Sequence, residues 1–210
     1  MTAELSSGVE LRSASSPVVL TRRHPLEGRR ATLEALTGEP SITLEPLVSA
    51  VDLRVDPDGG APEAIAAALG GTLPRSPDTW TELPDGVALR LGPDEWLLTS
   101  AAADPHRWED RVDALAAPHG GMAVDVSAQR VGLRLHGPAA RDLLAFGCSI
   151  DLRPTAFGRG RCAQTLFGQA AVLLVAHAED DLRLHVRTSF AGYVVDRLVD
   201  TARSLRPTPA

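Results

Sequence analysis

Apolar side chains recur along this chain at two spacings, and the places where one gives way to the other lay out its elements. Val131, Leu133 and Leu135 alternate with Gly132, Arg134 and His136, the two-residue period of a strand with one apolar face. Leu182, Leu184 and Val186 alternate in the same way with Arg183, His185 and Arg187. Trp108, Val112 and Leu115 recur instead at helical spacing, in a segment that opens on Pro105 and stops at Pro118-His119-Gly120-Gly121.

Extended along the chain, these periods predict a strand near Leu47–Val55, a turn at Asp56–Gly60 and an alanine-rich helix over Pro62–Leu69. Strands Val87–Leu91 and Trp96–Ser100 follow, joined by Gly92-Pro93-Asp94-Glu95, and then the helix Pro105–Ala117. The second half predicts strand Val131–His136, a helix Pro138–Phe146 between Gly137 and Gly147, strands Arg161–Phe167, Ala170–Ala178 and Leu182–Arg187, and a helix Ser189–Ser204. The repeated order points to an α+β fold of two pseudo-repeated β-α-β-β-α units, about 46–127 and 128–204, in one compact body because the linker between them is short. Residues 1–45 are rich in Ser, Arg and Gly with weak periodicity and read as an extended or disordered arm, and residues 205–210 as a frayed tail.

Composition narrows the chemistry. All 21 basic residues among the 210 are arginines, which removes lysine Schiff-base catalysis and a lysine-containing phosphate loop. A net charge of −6 argues against a nucleic-acid partner. The two cysteines, Cys148 and Cys162, form no C-x-x-C and read as small buried hydrophobes in a reducing, cytoplasmic setting. No signal-peptide pattern opens the chain, and the longest apolar run, Ala170–Ala176, is too short to span a membrane.

Candidate chemistry is sparse. Asp94 and Glu95 are adjacent carboxylates on a hairpin tip, where neighbours point apart and stay solvated. Trp96, at the strand start, reads as a core or subunit-interface anchor. His177 and His185 flank a Glu179-Asp180-Asp181 turn, but arginines on both sides of His185 oppose a cation, so no metal site is expected. Arg130, Arg134 and His136 share one strand face, and Arg183, His185 and Arg187 share another. If both strands lie in one sheet they make an outward guanidinium-rich surface, either solvated or suited to a protein partner. No nucleophile elbow, Walker loop, G-x-G-x-x-G or H-E-x-x-H is present.

The run Ala123–Gly147, with Asp125-Val126-Ser127 and Gly137-Pro138-x-Ala140, resembles the D-V-S … G-x-x-A segment of the folate-binding aminomethyltransferase fold family, which includes the glycine-cleavage T-protein. Other segments are similar to the gamma subunit family of heterotetrameric sarcosine oxidase. They are Pro25-Leu26, Leu53–Pro57, Leu91–Leu98, Cys148-x-Ile150-Asp151-Leu152-x-Pro154-x-x-Phe157, Cys162–Thr165 and Arg187-x-Ser189-Phe190-Ala191, in family order across the chain. The resemblance implies a complex that demethylates sarcosine oxidatively to glycine and passes the one-carbon unit to tetrahydrofolate. It also implies alpha, beta and delta subunits as partners, with FAD, FMN, NAD, tetrahydrofolate and zinc held by those other subunits and none by this chain. Folate-using members carry an acidic residue just past a glycine turn and a histidine after D-V-S; here Thr165–Val172 holds no carboxylate and Ala128 follows Ser127. The resemblance therefore implies no catalytic, cofactor-binding or metal-binding residue in this chain, and a subunit of an oxidoreductase that is not itself catalytic. An equivalent subunit of an N-methylglutamate-type dehydrogenase, or a stand-alone folate-dependent enzyme, remains the alternative.

Overall fold

The computed structural model describes residues 23–36 and 40–205. After a short helical segment α1 (Arg30–Glu34) and an edge strand β1 (Ser41–Leu44), the chain runs β2 (Ser49–Arg54), α2 (Ala61–Leu69), β3 (Trp80–Leu83), β4 (Gly86–Arg90), β5 (Glu95–Ser100), α3 (Pro105–Ala116) and β6 (Met122–Asp125). It continues with β7 (Arg130–His136), α4 (Ala140–Ala145), β8 (Cys162–Phe167), β9 (Ala170–Ala176), β10 (Asp181–Arg187) and α5 (Ala191–Ser204).

The ten strands form two antiparallel five-stranded sheets, ordered β3-β4-β5-β2-β6 and β8-β9-β10-β7-β1. These are the same topology twice, with β2 matching β7 and β5 matching β10. Each half contributes β-α-β-β-β-α, one strand more than the expected unit. In the first half the added strand is β3, whose four residues are too few to display a period. The fifth strand of each sheet comes from outside the unit: β6 pairs with β2, and β1 pairs with β7.

Strand β1 corrects the reading of residues 1–45 as an arm, as far as those residues are described. Ile42 and Leu44 pair with Leu135 and Leu133, and Leu26, Leu33 and Ile42 are buried in the core of the second half. Two apolar residues in a four-residue strand carry too little local signal; burial against β7 makes the strand, not its own propensity. The first 22 residues and the tail beyond Leu205 lie outside the described residues.

Helices cover the outer face of each sheet. In the first half, Leu53, Trp96 and Leu98 pack against Ile65 and Leu69 of α2 and Trp108 and Val112 of α3. In the second, Leu133, Leu135, Leu182, Leu184 and Leu174 pack against Leu143 and Leu144 of α4 and Val194, Val195 and Leu198 of α5. Each such side chain, fully buried, contributes roughly 1.5–3 kcal/mol relative to exposure. Local signals start and stop these helices. Asp104 accepts from the amides of His106 and Arg107 at 3.1 and 3.4 Å ahead of Pro105, and Gly120 takes the left-handed conformation just past the end of α3 and its last turn. Helix α4 begins at Ala140, because Gly137 to Ala139 form a turn in which the Ala140 amide donates to Gly137 O at 2.9 Å.

The inner faces of the sheets meet. Trp80, Leu89 and Leu97 of the first half pack on Cys162, Leu173 and Val175 of the second. The Trp80 indole donates to Ala176 O at 3.1 Å, and the Cys162 amide donates to Asp78 O at 2.9 Å, stitching β3 to the second sheet. The result is four layers, helix, sheet, sheet, helix, with a shared core between the halves.

Candidate functional site

The register of β10 on β7 sets Arg183 opposite Arg134, His185 opposite Gly132 and Arg187 opposite Arg130. The expected sharing of one sheet face by these residues is therefore present. The expectation that this face points outward is not met at its centre. The same face carries Leu173 and Val175 of β9, which pack on the first half's sheet, so Arg130, Arg183 and His185 look into the space between the sheets. Alternation reveals which residues share a face; it cannot tell which of two half-polar faces meets another sheet.

Much of the basic charge is neutralised internally. Arg134 donates to both carboxylate oxygens of Asp181 at 3.0 and 3.2 Å, and Arg183 pairs with Asp181 and, at 3.1 Å, with Glu45. Burial pushes the Asp181 carboxyl up, but the guanidiniums of Arg134 and Arg183 outweigh it and hold it below the usual carboxylate range. Arg187 and His136 are exposed at opposite ends of the face.

Trp96 is not a surface residue. Its side chain is 0% exposed, its indole donates to Pro74 O at 2.9 Å, and the Arg90 guanidinium sits 5.4 Å from its ring centre. The core alternative of the sequence reading holds, and an interface role for this ring does not. Asp94 stays exposed as expected, whereas Glu95 is half-buried, and both are ion-paired. Arg54 clamps both, Nη1 to Asp94 at 3.0 Å and Nη2 to Glu95 at 2.8 Å. Burial, with Asp52 nearby, pushes the Glu95 carboxyl up against the opposing pull of Arg54.

His177 and His185 do not face one another. His177 stacks against Trp80 with ring centres 4.4 Å apart, whereas His185 lies across from Leu173. Burial, reinforced by Arg130, His177 and Arg183, lowers the His185 imidazole to about 4. Among the described residues no cluster of His, Cys, Asp and Glu is arranged to hold a metal ion.

Three contributors escaped the sequence reading. Glu45 and Asp181 neutralise the arginine face, and they sit at strand ends where alternation carries no information. Gly132 is the third: a Cβ there would lie 2.9 Å from Glu45 Cβ and 3.2 Å from His185 Nδ1. A glycine inside an otherwise branched strand is a legible sign of such close approach. Between the sheets it helps leave a cavity of about 190 Å³, lined by the Glu45–Val48 linker, Ala50, Leu89, Leu97, Arg130 and His185 among others.

The Asp125-Val126-Ser127 segment is where the chain crosses from one sheet to the other. Asp125 Oδ1 accepts from the Ser127 amide at 2.9 Å, and Ser127 Oγ accepts from the Ala50 amide at 2.8 Å, so the motif ties the crossing to β2. The turn between β8 and β9, at Gly168 and Gln169, is the hairpin where folate-using relatives of the fold were expected to carry a carboxylate. The adjoining groove presents Arg130, Gln164, Thr165, Leu166, Ala171 and Arg187. The residues lining it are basic, neutral polar or apolar.

A model described as the sarcosine oxidase, gamma subunit family matches residues 55–204. The sarcosine oxidase subunit gamma of Corynebacterium sp. (strain U-96) is 35% identical over 184 residues, spanning 85% of this chain and 89% of that protein. A solved chain of the heterotetrameric sarcosine oxidase from Corynebacterium sp. U-96, in complex with pyrrole 2-carboxylate, superposes with a TM-score of 0.81 at 31% identity, over 90% of this chain and 98% of that one. The glycine cleavage system aminomethyltransferase T from Bartonella henselae has the same fold, with a TM-score of 0.53 at 15% identity over 77% of this chain and 46% of that one. With the family model spanning most of its length and a relative of this identity covered nearly end to end, the chain belongs to the sarcosine oxidase gamma subunit family.

Proposed function

We propose that the chain is the non-catalytic gamma subunit of a heterotetrameric sarcosine oxidase, which demethylates sarcosine oxidatively to glycine with transfer of the one-carbon unit to tetrahydrofolate. The observation that carries this reading is its match to a chain of the heterotetramer over 98% of that chain's length at a TM-score of 0.81. Its partners in this reading are alpha, beta and delta subunits in the cytoplasm, and they hold the flavins, NAD, tetrahydrofolate and zinc. The side chains support the division of labour: the chain has no lysine, Arg54 binds the paired carboxylates Asp94 and Glu95, and no carboxylate lines the β8–β9 groove.

The docking surface in this reading lies at the end of the second sheet where the β8–β9 turn meets α4 and α5. The Gly168 amide donates to Gly147 O at 2.9 Å and the Gln169 amide to the Tyr193 hydroxyl at 3.2 Å, which brings the three elements together. Phe146, Leu166 and Phe190 there are 61%, 52% and 47% exposed, and large apolar side chains left in water beside an exposed arginine, Arg187, suit a protein partner.

Purified alone, the chain should show no flavin absorbance and should form neither formaldehyde nor methylene-folate from sarcosine and tetrahydrofolate. Turnover by the isolated chain would contradict this function.

A further inference from the structure

The cavity between the two sheets is left without a task by a role in subunit docking. Its volume, about 190 Å³, exceeds the roughly 150 Å³ of an apolar cavity that takes a benzene ring. Val87, Leu89 and Leu97 wall it from the first sheet, and Val131 and the Glu45–Val48 linker close it from the second.

Most polar groups on its wall are already satisfied. Arg183 pairs with Glu45 and Asp181, Ser127 accepts from the Ala50 amide and Thr99 Oγ1 accepts from the Val87 amide at 2.9 Å. Arg130 is the exception. Its guanidinium is partly buried and makes no hydrogen bond or close ion pair with any described residue; Asp52 and Glu95 balance it only at longer range, and Arg187 opposes it. His185, across the strand from Gly132, likewise has no hydrogen-bond partner among the described residues. Gly132 keeps the floor open, since a side chain there would run into Glu45 and the His185 ring.

A partly buried cation with no directly bonded counter-charge is unfavourable, and a planar guanidinium is matched best by a carboxylate that it can hold with two parallel hydrogen bonds. We propose that this cavity binds a small monocarboxylate with a compact apolar body, its carboxylate on Arg130 and His185 and its apolar part against Val87, Leu89 and Leu97. Burial keeps His185 neutral at pH 7, so it offers a ring N–H without adding a second charge.

The test is calorimetric titration of the full chain with benzoate and with benzamide, its neutral counterpart of nearly the same shape. Benzoate should bind saturably at one site, benzamide at least tenfold more weakly, and binding should raise the His185 imidazole pKa seen by NMR. Arg130→Gln should weaken benzoate at least tenfold. The wild-type comparison of the two probes decides the matter even if that variant folds poorly. No saturable benzoate binding up to roughly 10 mM, equal binding of benzamide, or full binding by a folded Arg130→Gln chain would overturn the proposal. None of these outcomes bears on subunit assembly, so the two readings stand or fall separately.

Discussion

A histidine on a strand with apolar residues only on its opposite face titrates near its ordinary value if the strand fronts water. His185 does not, because a second sheet covers it, and burial together with Arg130, His177 and Arg183 holds its imidazole down to about 4. The unfolded chain takes up that proton near pH 6.5 and the folded chain only near 4, so stability from this group is present above about 6.5 and lost as pH falls through that window, by on the order of 3 kcal/mol. Urea unfolding at stepped pH should show the decline, and His185→Gln should flatten it. The alternation that placed this histidine with Arg183 and Arg187 was legible in the sequence; its burial was not, since nothing local says that another sheet lies above. The cysteines were legible as buried. Burial pushes Cys148 up to about 11 and Cys162 up to about 12, so neither should be alkylated by iodoacetamide at pH 7 until the chain unfolds. Arg141 gave no sequence signal. It donates to Glu179 O, Phe157 O and Ala178 O at 2.6, 2.9 and 3.3 Å, and also to Leu152 O, holding two loops to α4. Arg141→Ala should cost about 3 kcal/mol in equilibrium unfolding.

Elements with a sustained period were readable and those completed by a neighbour were not. Strands β7 and β10 and helices α3 and α5 announce themselves by alternation or helical spacing with a defined start or stop. Strands β1 and β3 have four residues each and owe their form to pairing with β7 and β4, whereas the equally short β6 was legible as the strand that opens the run Ala123–Gly147. Strand β1 tests the point. Ile42 is 3% exposed and sits opposite Leu135, so Ile42→Ala should destabilise the whole second half by roughly 2–4 kcal/mol, which an arm lying loose on the surface would not do. A change under about 0.5 kcal/mol would mean that β1 adds little to the fold.

At the scale of the molecule, the doubled topology explains why the family motifs sit where they do. Asp125-Val126-Ser127 marks the crossing between sheets, and Gly137-Pro138 turns β7 into α4; both are joints of the fold before they are anything else. The site was less legible than the fold because the sequence shows which residues are polar, whereas an interface is defined by which of them remain unpaired and exposed after folding. Arg134 is tied to Asp181 and Trp96 is buried, while Arg187, Phe146, Leu166 and Phe190 stay exposed, and the proposed docking surface rests on these four. Arg187→Ala should weaken assembly while the melting temperature of the isolated chain stays the same. The most direct test of the proposed function is native mass spectrometry of the chain co-expressed with alpha, beta and delta subunits of a heterotetrameric sarcosine oxidase. A stable four-subunit complex holding one copy of this chain, with sarcosine-oxidising activity, is the predicted result. An active complex that assembles at full strength without this chain, which then elutes alone, would contradict it.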